Sequence, residues 1–299
     1  MEWVDRVAGM RQWTRDGVRA PHKPLLLLYA LGRFQRDPGV ELHYSAVEAD
    51  LKQLLAEYGP SRRTTPAYPF HHLESDKLWE VATNRGEGSP GTGVLALRAT
   101  EARGRLAAEL RAGLQQTPGL LERMARVLLD RHFAPSLHAD LCEAVGLELD
   151  PPRTEPPTGV AGRRRDAGLR ELVLTAYEYQ CAFCGYDGRI GAVPVGLEAA
   201  HVRWWALDGP DAMDNTLCLC SLHHKLFDKG VLGLAQDDTV MVSQRFVGRS
   251  PAALRQVLAL SGRPVIGPQP GMPRVAAHHR DWHRQQVFHG VPRPRAADG

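Results

Sequence analysis

The chain has 299 residues, 43% hydrophobic and 24% charged, with a net charge of +3; this is the balance of a globular protein long enough for two domains. Its longest apolar run, residues 25–30, is too short to span a bilayer, and no charged-then-apolar leader opens the sequence, so an intracellular, cytoplasmic protein with no membrane partner is expected. Residues 1–150 hold 19 Lys/Arg against 20 Asp/Glu, and residues 151–299 hold 18 against 14, which argues against a polycation that coats nucleic acid and leaves any such binding to local patches.

The first half reads mainly helical. Apolar spacing from Trp3 to Trp13 suits one helix face. Pro24 sits where a first turn tolerates proline, and residues 25–31 continue as a buried helix. Ser45-x-x-Glu48 has the form of a capping box opening a helix to about Tyr58. Residues 59–76, rich in Arg, Thr and Pro, read as a long loop. Short strands are expected at 78–81 and 93–97, separated by a Gly-rich stretch, then helices at about 100–116, 119–132 and 136–146. From Pro151 to Gly159 the chain is proline-rich and has no apolar period, the mark of a semi-rigid linker. The expected division is an N-terminal domain, 1–150, a linker, 151–165, and a C-terminal domain, 166–299. That last domain opens with a helix at about 166–179. Beyond His224 come short strands near 231–234 and 239–243, a helix from Ser250-Pro251 to Leu260, a final helix at about 274–288, and an unordered tail after Gly290.

Four of the five cysteines lie between 181 and 220, a clustering that points to metal rather than disulfides. Cys142 stands alone in a helical pattern, as a small buried hydrophobe does. Cys181-x-x-Cys184 and Cys220-x-x-His223 present two donor pairs of equal spacing, the ligand set of a structural Zn²⁺. Cys218 is an alternative to Cys220. Threaded through this frame is a second set. Hydrolysis of a phosphodiester needs a base for water and a cation on the phosphate and leaving oxygen. His201 has the chemistry of the base. His224 has that of a ligand for Mg²⁺ or Mn²⁺, and Asn215 that of an amide orienting the His201 loop or ring. Glu198 is a further candidate for holding the cation or orienting His201. His223 and His224 are adjacent and must point different ways, one to each metal.

Cys-Ala-Phe-Cys, Leu-Glu-Ala-Ala-His-Val and Asp-Asn-Thr-Leu-Cys-Leu-Cys-Ser-Leu-His-His-Lys-Leu-Phe-Asp together resemble the HNH endonucleases, in the form typical of restriction enzymes that attack modified DNA. The resemblance covers about 166–290. It implies a ββα-metal core, with two strands carrying His201 and Asn215 and a helix carrying His224. Where many HNH nucleases have Asp or His just before the base, this chain has Ala200.

In the first half, Pro21-His22-Lys23-Pro24 with its leucine run, followed by Tyr68-Pro69-Phe70-x-x-Leu73, resembles the sulfur-binding domain of phosphorothioate-dependent McrA-type restriction enzymes, which join this domain to a C-terminal HNH module. Sulfur in place of a phosphate oxygen is larger, more polarisable and less hydrated. An apolar concavity formed by the Pro69 ring and the Tyr68 face accepts it cheaply, while an oxyanion there loses water without compensation. Arg15, Arg19, His22, Lys23 and Arg62 are candidates to neutralise the phosphate, with His72 just beyond the pocket. The 62–65 segment and the 86–93 loop are candidate readers of flanking bases.

The expected fold is α+β, a mainly helical DNA-recognition domain plus a ββα-metal HNH domain with structural zinc. The expected protein is a restriction endonuclease acting on double-stranded DNA that carries phosphorothioate linkages. One active site cuts one strand, so double-strand cleavage implies a homodimer or two sequential nicks. Two alternatives are an HNH endonuclease that targets 5-methylcytosine or another modified base, and a non-catalytic zinc-stabilised DNA-binding protein.

Overall fold

The computed structural model describes residues 2–10, 14–15, 18–19, 21–59, 65–149 and 168–295, with backbone alone at 14–15 and 18–19. The expected linker, 151–165, and Arg62 lie outside the described residues. The chain forms two compact units, Met1–Glu155 and Pro156–Gly299. Among the described residues no helix is long and apolar enough to cross a membrane.

The N-terminal unit runs α1 (Glu2–Ala8), β1 (Thr14–Arg15), β2 (Val18–Arg19), α2 (His22–Arg36), β3 (Leu42–His43), α3 (Tyr44–Tyr58), α4 (Ala67–His72), β4 (Trp79–Thr83), β5 (Gly86–Glu87), α5 (Val94–Ala99), β6 (Arg103–Leu106), α6 (Ala108–Gln116), α7 (Leu120–His132) and α8 (His138–Val145). Helix α2 is its axis. Every residue from Leu25 to Leu31 is buried, because α3, α4, α7 and α8 all pack against this helix. Pro24 falls in the first turn, where its missing N–H removes no helical bond.

Beside the helices lies an antiparallel sheet of order β3-β6-β4-β5. Its central strand β6 corrects the expectation of one helix over 100–116. Residues 103–106 alternate between half-buried and buried, and the register sets Gly104 opposite Val81. A Cβ at Gly104 would come within 2.0 Å of the Trp79 ring, so only glycine lets the strand pass.

Three further expectations change. Residues 93–97 are not a strand but the start of α5, an apolar run too short for periodicity to decide its class. The long loop 59–76 contains α4 and a 3₁₀ turn, Leu73–Asp76. Pro66 and Pro69 obscured this helix, yet they stand at its N-cap and in its first turn, where proline is tolerated. The Ser45 box does not cap α3; the buried Glu48 instead pairs with Arg98, at 2.7 Å.

The C-terminal unit runs α9 (Leu169–Ala176), β7 (Arg189–Ile190), β8 (Val193–Pro194), β9 (Leu197–His201), β10 (Thr216–Cys220), α10 (Ser221–Asp228), β11 (Leu232–Leu234), β12 (Val240–Val242), α11 (Pro251–Gln256) and α12 (Ala277–Gln286). β9 and β10 are antiparallel, with Thr216 opposite His201 and Cys220 opposite Leu197. α10 begins at the next residue, so two strands and a helix form the ββα unit. Leu197, Ala200, Leu217, Leu219 and Phe227 bury its inner face. His283 of α12 lies flat on Phe227, ring centroids 3.7 Å apart, and its Nε2 donates to the Phe227 carbonyl at 3.1 Å. The expected start of α11 is present, since Ser250 Oγ accepts from Ala253 N. The chain after Gly290 differs from the expected tail: Gln244 N donates to Val291 O and Arg293 N to Val242 O.

Candidate functional site

Cys181, Cys184, Cys220 and His223 bring their ligand atoms within 4.8 Å of one another. Two turns make the arrangement. Gly185, at φ +75°, closes the first pair, with Gly185 N donating to Cys181 O. Cys220 is the N-cap of α10 and His223 lies in its first turn. His223 Nε2 donates to Gln256 O at 2.8 Å, which turns Nδ1 towards the thiols, 3.2 Å from Cys220 Sγ and 3.5 Å from Cys181 Sγ. Such a carbonyl contact fixes the ligating tautomer. Three sulfurs and one imidazole nitrogen fit a tetrahedral zinc site, whose bonds of about 2.3 Å to sulfur set the donors roughly 3.8 Å apart. Bonds from Cys184 and Cys220 hold the Cys181 thiol far below its usual range. Cys218 is outside the cluster; burial pushes its thiol up to about 12, and it is a protonated core residue.

His201 ends β9, and its Nε2 lies 2.7 Å from Asp211 Oδ1. Asp211 comes from the loop that joins β9 to β10, and Asn215 holds that loop. Asn215 Oδ1 accepts from Arg203 N at 2.8 Å, and Nδ2 donates to Arg203 O and Pro210 O at 3.0 and 2.9 Å. The fully buried Asn215 therefore orients the loop and not the His201 ring. Gly209 lets the loop close, since a Cβ there would meet Arg203 O at 1.8 Å.

His224 stands one residue beyond His223 of that cluster and faces another way, as the roughly 100° step of a helix requires. Its Nδ1 is 2.6 Å from Glu198 Oε2 and its Nε2 is 3.2 Å from Asp228 Oδ2. Asp228 is nearly enclosed and accepts from Trp204 Nε1 at 2.8 Å through its other oxygen. Burial pulls the His224 imidazole down, but Asp228 and Glu198 outweigh it and raise it to about 10. The His224 hydrogen bond in turn holds Glu198 below the usual carboxylate range. An imidazole and a carboxylate side by side are donors that can hold a divalent cation. Ala200 is buried and supplies no ligand.

Glu198 is a candidate from the sequence, but Asp211, Asp228 and Trp204 are not singled out by it. Asp228 had a usable signal, being four residues after His224 on the same helix face. Asp211 and Trp204 had none, since both depend on how the 202–215 loop closes.

In the N-terminal unit the structure brings His22, Tyr68 and His72 together. The Tyr68 ring is 6.2 Å from His22 and 4.2 Å from His72, centroid to centroid, and is half-buried. Burial lowers the His72 imidazole, and the His71 and Lys23 charges push it the same way. Pro69 is buried, where α4 packs against α2. Lys23 Nζ is 2.6 Å from Asp76, so its charge is already matched. Arg15 and Arg19 sit on the β1–β2 hairpin, where Thr14 pairs with Arg19 and Arg15 with Val18; their side chains lie outside the described residues.

A family model for the ScoMcrA-like DNA sulfur-binding domain matches residues 1–150, and one for HNH endonucleases matches residues 181–235. Among solved structures the chain is similar to the "Sulfur binding domain of SprMcrA complexed with phosphorothioated DNA", at 26% identity over 49% of this chain and 93% of that one, with a TM-score of 0.42. It is also similar to the corresponding ScoMcrA domain complex, at 26% identity over 48% of this chain and 94% of that one, TM-score 0.41. The "Modification dependent TagI restriction endonuclease" matches at 27% identity over 48% of this chain and 42% of that one, TM-score 0.31. No curated protein matches the chain.

Proposed function

The chain belongs to the family of the ScoMcrA-like DNA sulfur-binding domain, and from that premise we propose that it is a phosphorothioate-dependent restriction endonuclease. Residues 1–150 capture double-stranded DNA bearing a phosphorothioate linkage, and the HNH domain hydrolyses a nearby phosphodiester. The observation that carries the cleavage half is a pair of His–carboxylate contacts, His201–Asp211 and His224–Glu198, on one ββα unit.

In this reading His201 keeps its Nε2 proton and donates it as a hydrogen bond to Asp211, which leaves the lone pair on Nδ1. That nitrogen takes the proton from water as the water oxygen attacks phosphorus, and Asp211 stabilises the resulting imidazolium. Cleavage leaves a 5′-phosphate and a 3′-hydroxyl. His224 Nδ1 and Glu198 would hold Mg²⁺ or Mn²⁺, which offsets charge on the phosphate and leaving oxygen. Asp228, itself fixed by Trp204, accepts a hydrogen bond from His224 Nε2–H and so directs Nδ1 to the cation. Cys181, Cys184, Cys220 and His223 hold structural Zn²⁺. For capture, the Tyr68 face between His22 and His72 receives the weakly hydrated sulfur. His22, Arg15, Arg19 and Arg62 supply the opposing charge, and Lys23 contributes less because of Asp76. Cutting both strands takes a homodimer or two successive nicks.

The test is incubation with hemi- and fully thiolated duplexes plus Mn²⁺ or Mg²⁺, mapping each cut strand, beside unmodified and 5-methylcytosine duplexes of the same sequence. Cleavage is expected on the thiolated duplexes alone. His201→Ala should bind them without cutting, and Tyr68→Ala should weaken binding to thiolated DNA more than to plain DNA. Cleavage of the methylated duplex alone would reject the sulfur target. Binding without cleavage by the unmutated protein would favour a non-catalytic module.

A further inference from the structure

Four arginines of the C-terminal unit are paired with carboxylates. Arg274 and Arg280 pair with Asp238, Arg284 with Asp281 and Arg295 with Asp237. Arg245 and Arg249, both exposed on the loop after β12, have no carboxylate partner among the described residues. Between them Val247 is 76% exposed. The loop therefore carries two exposed guanidinium charges with no carboxylate beside them among the described residues.

The loop is held firmly. Ser243 N donates to Val231 O at 2.8 Å and Gln244 N to Val291 O at 3.0 Å. The Arg293 guanidinium reaches three loop carbonyls, those of Ser243, Gln244 and Phe246, at 3.3, 3.4 and 2.7 Å. Arg245 N donates to Ser243 Oγ, whose hydroxyl donates to His289 O. On the other side, Gly248 lies so close to α11 that a Cβ there would meet Ala253 Cβ at 2.6 Å. A loop fixed by so many bonds loses little freedom when its exposed side chains bind.

Its anchorage leads to the cleavage centre. The Arg245 side chain lies over Gly290, with Nε 3.2 Å from where a Cβ would stand. The neighbouring His289 N donates to Gly230 O, two residues past Asp228 on the helix that carries His224. The loop is thus tied to the C-terminal end of α10. A guanidinium with no partner is suited to phosphate, which it meets with two parallel hydrogen bonds.

We propose that the 244–249 loop is a phosphate clamp, in which Arg245 and Arg249 grip the DNA backbone flanking the cleavage centre without regard to sequence or to sulfur. The proposal rests on the nuclease reading above and adds to it a second DNA contact, within the cutting unit.

The test compares the unmutated full chain with the Arg245→Ala/Arg249→Ala double variant and with Val247→Asp, which sets a carboxylate between the arginines at an exposed position. Affinity for thiolated and unmodified duplexes of one sequence is measured across a salt series, without added divalent cation. Each lost phosphate contact lowers the slope of log affinity against log salt by about 0.9. From about 50 to about 200 mM salt, the unmutated protein should therefore lose roughly tenfold more affinity than the double variant. The preference for thiolated over plain DNA should stay as it was, and Val247→Asp should weaken both complexes. An unchanged slope in a protein that still binds and cuts thiolated DNA overturns the clamp alone. A loss confined to thiolated DNA also overturns it. If the unmutated chain binds neither duplex, the nuclease reading falls with it.

Discussion

Two metal-type sites share α10 and are built in opposite ways. The Cys₃His cluster gathers four donors within 4.8 Å, and its imidazole is turned inward by the Gln256 carbonyl. The His224 site gathers two carboxylates, one on each ring nitrogen, and the Glu198 side chain stays 43% exposed. A closed set of soft donors makes a scaffold; an imidazole and an accessible oxygen leave coordination positions for a substrate. Adjacent residues, His223 and His224, serve the two sites because one helical step turns the side chain by about 100°. The largest expected effect tests the scaffold half. Stripping zinc with a chelator, or substituting Cys181→Ser, should unfold the C-terminal unit, since a structural zinc contributes on the order of 10 kcal/mol. Circular dichroism with a colorimetric zinc-release assay reads this. A C-terminal unit that melts cooperatively without zinc would make the cluster an incidental group of thiols.

The open half should respond in rate and leave the fold intact. Asp211→Asn keeps the size of the side chain but removes the charge that fixes the His201 tautomer. Single-turnover cleavage is expected to fall about 10²- to 10⁴-fold, the range associated with a positioned base, with the thermal melt and zinc content unchanged. A rate that stayed within a few-fold of the unmutated protein would leave Asp211 a structural partner of the loop.

Both sites depend on the far end of α10, where His283 stacks on Phe227. Burial lowers the His283 imidazole to about 4. Above its unfolded value of 6.5 the group is neutral in both states and pH has no effect through it. As pH falls below that value, the unfolded chain takes up a proton that the folded one refuses. Stability should then drop until about pH 4, by roughly 3 kcal/mol in all. His283→Phe keeps an aromatic ring on Phe227 and removes the titration. Denaturant melts across this window should show a shallower acid decline in the variant, and parallel declines would assign the loss to other groups.

The contrast also explains what could be read from the residues alone. Cys181, Cys184, Cys220 and His223 are legible because their spacing is itself the geometry, two donors on each tight turn. His201 and His224 are legible by motif. Their carboxylate partners are harder, because Asp211 arrives through a loop whose shape depends on Gly209 and Asn215, a tertiary fact with no local pattern. In the N-terminal unit the buried helix α2 announces itself by its leucines. Strand β6 does not, since Arg103-Gly104-Arg105-Leu106 is short and lies between helix-forming stretches; its place is decided by Trp79 packing on Gly104. Helix α4 was hidden by two prolines that happen to stand where helices accept them.

The smallest expected effect separates orientation from ligation at the open site. Asp228 touches His224 through Nε2 and Trp204 through its other oxygen, so it aligns the ring and holds the charge opposite Nδ1. Asp228→Asn leaves Glu198 and His224 in place. Mn²⁺ affinity, read by calorimetry or by the electron spin resonance of free Mn²⁺, should then weaken about 10- to 100-fold, the usual cost of losing such a support. Trp204→Phe, which removes the N–H to Asp228 together with part of the buried ring, should produce a smaller loss in the same direction. Zinc content should not change in either variant, because His223 takes its orientation from Gln256 and not from Asp228. If Asp228→Asn abolished Mn²⁺ binding outright, Asp228 would be a direct ligand and the ring would present Nε2 to the cation. If Mn²⁺ affinity held while zinc was lost, the two sites on α10 would be coupled and the division between scaffold and open centre would fail.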